Sequence, residues 1–146
     1  MPVFKLSQTI NRPVSEVFNT VVHVERFPDW SPNNHKSARR LSQGEIGEGS
    51  QFEIEIKGFG KVHQTLEEFE RNKRVKIVPH IKMLSGGHRF SFSSEGPSAT
   101  RIDHELEMFP KGIFKLMTPF MFRMGKKNLD EVTTALKAYL EKESKS

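Results

Sequence analysis

The stretch Thr100-Arg101-Ile102-Asp103-His104-Glu105-Leu106-Glu107-Met108, closed by Phe109-Pro110, decides the fold. Ile102, His104, Leu106 and Met108 fall on one side, and Arg101, Asp103, Glu105 and Glu107 on the other. That is the period of two of a strand wet on one face. After Pro110 the period changes to a helical one: Ile113, Met117, Phe120, Met121 and Met124, then Leu129, Val132, Leu136 and Leu140 form one apolar stripe. The spacing predicts a long helix over residues 119–143, with Pro119 as a kink or restart. At 1.5 Å per residue it would be about 37 Å long, the span of a whole small domain.

Upstream of that junction the period of two continues back to residue 36. Turn signals recur at Gly44 to Gly49, Gly58 to Gly60, Asn72-Lys73, Ser85-Gly86-Gly87 and Glu95-Gly96-Pro97. They separate six strands at about 36–41, 51–56, 61–71, 74–79, 88–93 and 99–108. The connections are too short for parallel crossovers, so the strands form an antiparallel meander. In the third of them Val62, Gln64 and Leu66 are in phase, but Phe69 is out by one residue, which places a bulge near Glu67-Glu68.

Before the meander, Phe4, Leu6 and Ile10 alternate with Lys5, Ser7 and Thr9 as a first strand over residues 3–10. Pro13 opens a short helix carrying Val14, Val17, Phe18 and Val21, with a second short helix expected after it. The stretch Phe27-Pro28-Asp29-Trp30-Ser31-Pro32-Asn33-Asn34 reads as a turn-rich connection whose lone Trp30 plugs one end of the core. The fold class is therefore α+β, a seven-stranded curved sheet around a C-terminal helix, in a single domain of residues 1–146.

Composition narrows the function classes. Twelve phenylalanines are too many for a disordered chain, so Phe carries the core. With no cysteine there is no disulfide, thiolate metal site or cysteine nucleophile, and the cytoplasm is the default expectation. Met1-Pro2-Val3-Phe4-Lys5 lacks a secretory leader's pattern, and no apolar run approaches the roughly 18 residues of a membrane span. The net charge of +5 is spread along the chain among acids, without a stripe of Lys/Arg and aromatics, so nucleic acid is not an expected partner.

Several motifs in order resemble a known superfamily. They are Ile10-Asn11-Arg12-Pro13-Val14-Ser15-Glu16-Val17-Phe18, then Phe27-Pro28-Asp29-Trp30-Ser31-Pro32, then Gly47-Glu48-Gly49. Leu66-Glu67-Glu68-Phe69, Ala99-Thr100-Arg101-Ile102 and Leu136-Lys137-Ala138-Tyr139-Leu140-Glu141 follow. Together they resemble the START/SRPBCC superfamily, in its polyketide cyclase/dehydrase-like branch, over nearly the whole chain. The resemblance implies the helix-grip fold and a lipid, sterol, polyketide or other apolar molecule held between sheet and helix. It implies fold better than chemistry, because one fold hosts many functions.

The expected cavity wall is Trp30, Phe52, Ile54, Phe69, Phe90, Phe92, Leu106, Met117, Phe120 and Met121, with Gln64 as a polar reader. Methionines opposite phenylalanines suit a wall that adapts to varied shapes, although the same stripe also suits plain core. The candidate catalytic pair is His88 and His104. A hairpin centred near residue 96 would set Phe92 against Thr100, Phe90 against Ile102 and His88 against His104. The imidazoles would then orient a ligand oxygen or exchange protons with it, or simply pair within the core. No metal or other cofactor is expected, since His63, His80, His88 and His104 lack a recognised ligand spacing and the acids Glu53, Glu55, Asp103, Glu105 and Glu107 face outward.

Three functions stay open at this level: a carrier of a small hydrophobic molecule, a cyclase or dehydratase using the two histidines, and a protein-interaction module of the same fold. The basic, apolar segment 111–123 is expected to dock on its own sheet, with membrane contact as the alternative. The expected state is a monomer or weak homodimer.

Overall fold

The computed structural model describes residues 3–30, 35–56, 60–82 and 84–143, apart from the side chains of residues 35, 36, 84, 114, 117, 121 and 143. In chain order it runs β1 (Val3–Ile10), α1 (Val14–Val22), a 3₁₀ turn (Val24–Arg26), α2 (Phe27–Trp30), β2 (His35–Arg40) and β3 (Gln51–Ile56). Then follow β4 (Gly60–Glu70), β5 (Arg74–His80), β6 (Leu84–Ser94), β7 (Thr100–Pro110), a 3₁₀ helix (Gly112–Met117) and α3 (Thr118–Glu143). The strands form one antiparallel sheet in the order β1-β7-β6-β5-β4-β3-β2, gripping α3 as a helix-grip fold does.

Alternation becomes packing as the period of two requires. Phe52 and Ile54 of β3, Leu66 of β4, Val75 and Ile77 of β5, and Ile102 of β7 are all at most 1% exposed. Phe18 of α1 closes one end of this core edge-on, its ring 5.2 Å from Phe92 and 5.4 Å from Phe69. The opposite face of the sheet carries charge. There Arg89 reaches Glu68, Glu105 and Glu107 at 2.8, 3.1 and 3.2 Å, and Lys76 reaches Glu107 at 3.1 Å.

The bulge lies where the phase slip in the sequence puts it. The β4–β5 register shifts between Glu67 and Glu70, and Glu68 takes a positive φ of 51°. The Phe69 N–H donates to Glu48 Oε1 at 2.9 Å. Phe69 is thereby turned onto Phe18, although its phase in the strand is broken.

Two sequence readings of turns need correction. Ser85-Gly86-Gly87 is no turn: all three residues lie inside β6, which begins at Leu84. A Cβ on Gly86 would sit 2.1 Å from the Glu107 carbonyl oxygen, and one on Gly87 2.4 Å from that of Ile77, so these glycines allow neighbouring strands to approach. Residues Phe27–Trp30 form a helical turn rather than an irregular connection. The expected turn at Gly58 to Gly60 falls largely outside the described residues, as does Ser31-Pro32-Asn33-Asn34.

The β6–β7 hairpin also has a different register. Ser94 pairs with Thr100, Phe92 with Ile102, Phe90 with His104 and His88 with Leu106. The hairpin is centred one residue later than its turn signal suggests, so each pairing moves by two. A shift of two preserves the faces, and both histidines still point inward.

α3 is one continuous helix from Thr118, with Pro119 in its first turn, where a missing N–H costs nothing. Its C-terminal half is tied down: Lys137 Nζ donates to the Thr9 carbonyl at 2.6 Å, and the Asn11 N–H donates to Glu141 Oε2 at 2.9 Å. Leu129, Val132, Leu136 and Leu140 are buried there. Gly125 is the close crossing point, where a Cβ would meet Met108 Sδ at 2.4 Å and Phe4 at 3.1 Å. N-terminal to that crossing the helix outruns its cover, and Phe120 and Met124 are 58% and 55% exposed.

Candidate functional site

Between the sheet and α3 lies a cavity of about 240 Å³. Ile56, Val62, Ile77 and Phe90 supply its sheet wall, Phe27 of α2 its end, and Val132 the helix side. Gln64, His88 and Asn128 are the polar side chains at its edge. A second pocket of about 200 Å³ shares Pro79, His88 and Asn128 with the first and continues past Leu106 and Met108 to Met124 and Gly125. Together the two reach the lower part of the roughly 300–1,000 Å³ range of small-molecule sites. An apolar lining with a few polar points is the usual make-up of such a site.

The histidines meet. His88 Nδ1 lies 2.8 Å from His104 Nε2, and His104 Nδ1 lies 2.9 Å from Thr133 Oγ1 on α3. Thr133 donates its hydroxyl hydrogen to the Leu129 carbonyl at 2.8 Å, so toward His104 it accepts. His104 therefore carries its hydrogen on Nδ1. Burial pushes its pKa well below the ordinary 6.5, with the neighbouring His88 acting in the same direction, so it is neutral around pH 7. Its bare Nε2 accepts from the Nδ1–H of His88. In its neutral form His88 then keeps its lone pair on Nε2, on an imidazole that borders both pockets.

The elements fix this chain firmly. His104 is fully buried and stacks on Phe90, its direct partner across the β6–β7 ladder, with centroids 4.1 Å apart and planes 18° from parallel. Thr133 sits one turn beyond Leu129 on the anchored half of α3, and it is also fully buried. Chemically, the arrangement presents an oriented imidazole to an apolar cavity, suited to accepting a hydrogen bond or a proton from a hydroxyl.

The other expected wall residues scatter. Gln64 and Phe90 border the first pocket, and Leu106 the second. Phe52 and Ile54 are wholly inside packed core, and Phe92 is spent on Phe18. Phe69 is half-buried against the same ring. Trp30 is buried against Phe27, with ring centroids 5.1 Å apart, and borders a separate polar pocket beside His23 and Arg26. Phe120 is exposed, while the side chains of Met117 and Met121 lie outside the described residues. Phe27 and Val132, legible only as motif and stripe residues, and Asn128 and Thr133 are the site residues that the sequence did not mark as such. Gly125, Asn128 and Val132 share one helix face at spacings of three and four, and a glycine on that face is the signal that could have located the crossing.

Among the described residues no group of three His, Asp or Glu side chains is placed to hold a metal ion. Among the described residues no helix is long and apolar enough to cross a membrane.

Comparison with known proteins bears on the family and the fold. The family described as polyketide cyclase / dehydrase and lipid transport matches residues 1–141. No curated protein matches the sequence. A START superfamily protein from Mycobacterium smegmatis is similar in structure with a TM-score of 0.78 at 16% identity, covering 96% of this chain and 97% of its own. The Zhui aromatase/cyclase from Streptomyces sp. R1128 gives 0.72 at 11% identity, covering 97% and 94%. Norcoclaurine synthase from Thalictrum flavum, in complex with a transition-state analogue, gives 0.71 at 12%, covering 99% and 96%. At such identities the likeness is one of fold.

Proposed function

The chain belongs to the polyketide cyclase / dehydrase and lipid transport family, and from that premise we propose that it binds a small hydrophobic molecule between its sheet and α3. The observation that carries this reading is the pair of adjacent apolar pockets whose shared polar corner is His88 and Asn128. An aliphatic or aromatic body would fill the space among Ile56, Val62, Ile77, Phe90 and Val132. A hydroxyl or carbonyl on it would meet the polar corner.

The test is native mass spectrometry of freshly purified protein, followed by solvent extraction. A co-purifying apolar compound absent from a Val132→Trp variant, in which the indole occupies the cavity, supports the reading. Equal retention by that variant removes the cavity as the binding site.

The hydrogen-bonded series His88, His104 and Thr133 favours a second reading, in which the same site is a cyclase or dehydratase. His88 would take a proton from the bound molecule through Nε2, and His104 would hold its ring orientation. Replacing His88 with Gln separates the two readings: a carrier keeps its ligand and shows no turnover to lose, whereas an enzyme loses conversion of the extracted compound.

A further inference from the structure

The segment 111–127 combines positive charge with exposed apolar side chains. It carries Lys111, Lys115, Arg123, Lys126 and Lys127 and no acid, a local charge of +5 in a chain whose total is +5. It also holds five of the seven large apolar side chains that are exposed among the described residues: Ile113 at 76%, Leu116 at 85%, Phe120 at 58%, Phe122 at 36% and Met124 at 55%. The expectation that this segment docks on its own sheet therefore fails for Ile113, Leu116 and Phe120. Among those five side chains only Phe122 finds a partner ring, edge-on to Phe4 of β1 at 5.6 Å.

The placement is ordered. Ile113 and Leu116 are three apart in the 3₁₀ helix, where side chains at that spacing eclipse. Phe120 and Met124 are four apart on α3, and Arg123 and Lys127 stand three and seven residues beyond Phe120 on the same face. A shallow groove alongside is lined by Phe4, Phe122, Arg123, Lys126 and Lys127, with Asp130 and Glu131 beyond them. Lys127 reaches Glu131 at 3.8 Å, an exposed pair that leaves it on the surface. The same stretch borders the second pocket through Met124 and Gly125.

We propose that residues 111–127 dock this protein on an anionic lipid surface, with Ile113, Leu116, Phe120 and Met124 entering the interface and the five cations facing the headgroups. Exposed apolar side chains interleaved with cations and free of acids are the chemistry such a surface selects. A second copy of the chain is disfavoured as occupant, because it would bring two segments of charge +5 face to face. Nucleic acid would use the cations and aromatic rings but gain no stacking from Ile113, Leu116 or Met124. Docking would set the Met124 and Gly125 side of the second pocket toward the lipid.

The experiment is co-sedimentation of the full chain with phosphatidylcholine vesicles, with and without phosphatidylglycerol, and it needs no cavity ligand. The expected result is pelleting only with phosphatidylglycerol, released by salt. The double variant Leu116→Glu with Phe120→Glu should lose it, and Lys126→Gln with Lys127→Gln should weaken it by on the order of tenfold. All four side chains are exposed, so melting curves should match the parent. Three outcomes overturn the proposal: no pelleting with anionic vesicles, equal pelleting by the Leu116/Phe120 variant, or sedimentation velocity showing a dimer that this variant dissociates. Binding of a single-stranded oligonucleotide lost in the same variants, without vesicle binding, would assign the patch to nucleic acid instead. A Val132→Trp protein that loses cavity ligand but still pellets would separate the two sites.

Discussion

His88 and His104 are joined by a 2.8 Å hydrogen bond although neither is the other's partner in the strand ladder: His88 lies opposite Leu106, and His104 opposite Phe90. The contact is diagonal across β6 and β7, within reach of two long side chains on the same face. It places a titratable group, His104, in full burial behind His88, with consequences for stability.

Unfolded, His104 titrates near its ordinary 6.5; folded, it titrates well below. Between those two values the unfolded chain binds a proton that the native protein excludes. This contribution is fully present above about pH 6.5 and falls as pH drops through the window, at up to about 1.4 kcal/mol per pH unit for one proton. Melting temperature should fall on acidification below about 6.5, and His104→Gln should flatten that slope. Glu68, held low by hydrogen bonds from Arg89, and Glu53, held low by Arg39, act below their ordinary 4.5, so they leave the slope just below pH 6.5 to His104. Identical pH slopes in the two proteins would remove the assignment.

Thr133 is expected to matter through its oxygen. Thr133→Val keeps the shape but leaves the buried Nδ1–H of His104 without its acceptor, at a cost of about 1–3 kcal/mol. Thr133→Ser keeps the acceptor and should cost less. Urea unfolding gives the order directly, and ¹⁵N chemical shifts of the His104 ring in the parent should show the hydrogen on Nδ1. A hydrogen found on Nε2 would reverse the deduced direction of the chain.

Phe52 and Phe120 read alike in sequence, as aromatic residues on the inward side of their elements, yet the structure separates them completely: one is fully buried and the other 58% exposed. Phe52→Ala should cost about 3–5 kcal/mol and Phe120→Ala no more than about 0.5 kcal/mol by chemical denaturation. Comparable losses would mean that the first turns of α3 are covered.

That contrast marks how far the sequence could be read. A period of two determines which side chains face inward, so Phe52, Ile54, Val75, Ile77 and Ile102 were legible as interior, and the slip at Phe69 was legible as a bulge. Periodicity carries no information about where one element stops covering another. The stripe on α3 continues unbroken through Gly125, while the cover ends there. The polar corner was half legible, because the pairing error of two residues preserved the faces of His88 and His104. Asn128 and Thr133 stayed hidden, since a polar residue on a long mixed helix gives no sign of facing a cavity until the crossing point is known.

Gly86 and Gly125 both permit close approach, but of different kinds, and alanine should distinguish them. At Gly86 the new Cβ would meet a backbone oxygen, that of Glu107 at 2.1 Å, and the φ of 116° lies where side-chain-bearing residues are strained. Neither obstacle can move without opening the β6–β7 ladder. At Gly125 the first obstacle is the Sδ of Met108, the end of a flexible chain, and alanine gains about 1 kcal/mol of helix propensity. Gly86→Ala should therefore cost more than about 2 kcal/mol, from strain of about 1–3 kcal/mol plus the clash. Gly125→Ala should stay within about 1 kcal/mol of the parent, its propensity gain offsetting the displaced thioether. Thermal melts of the two variants rank them, and a Gly125 variant as damaged as the Gly86 one would mean that α3 cannot shift on its sheet at all.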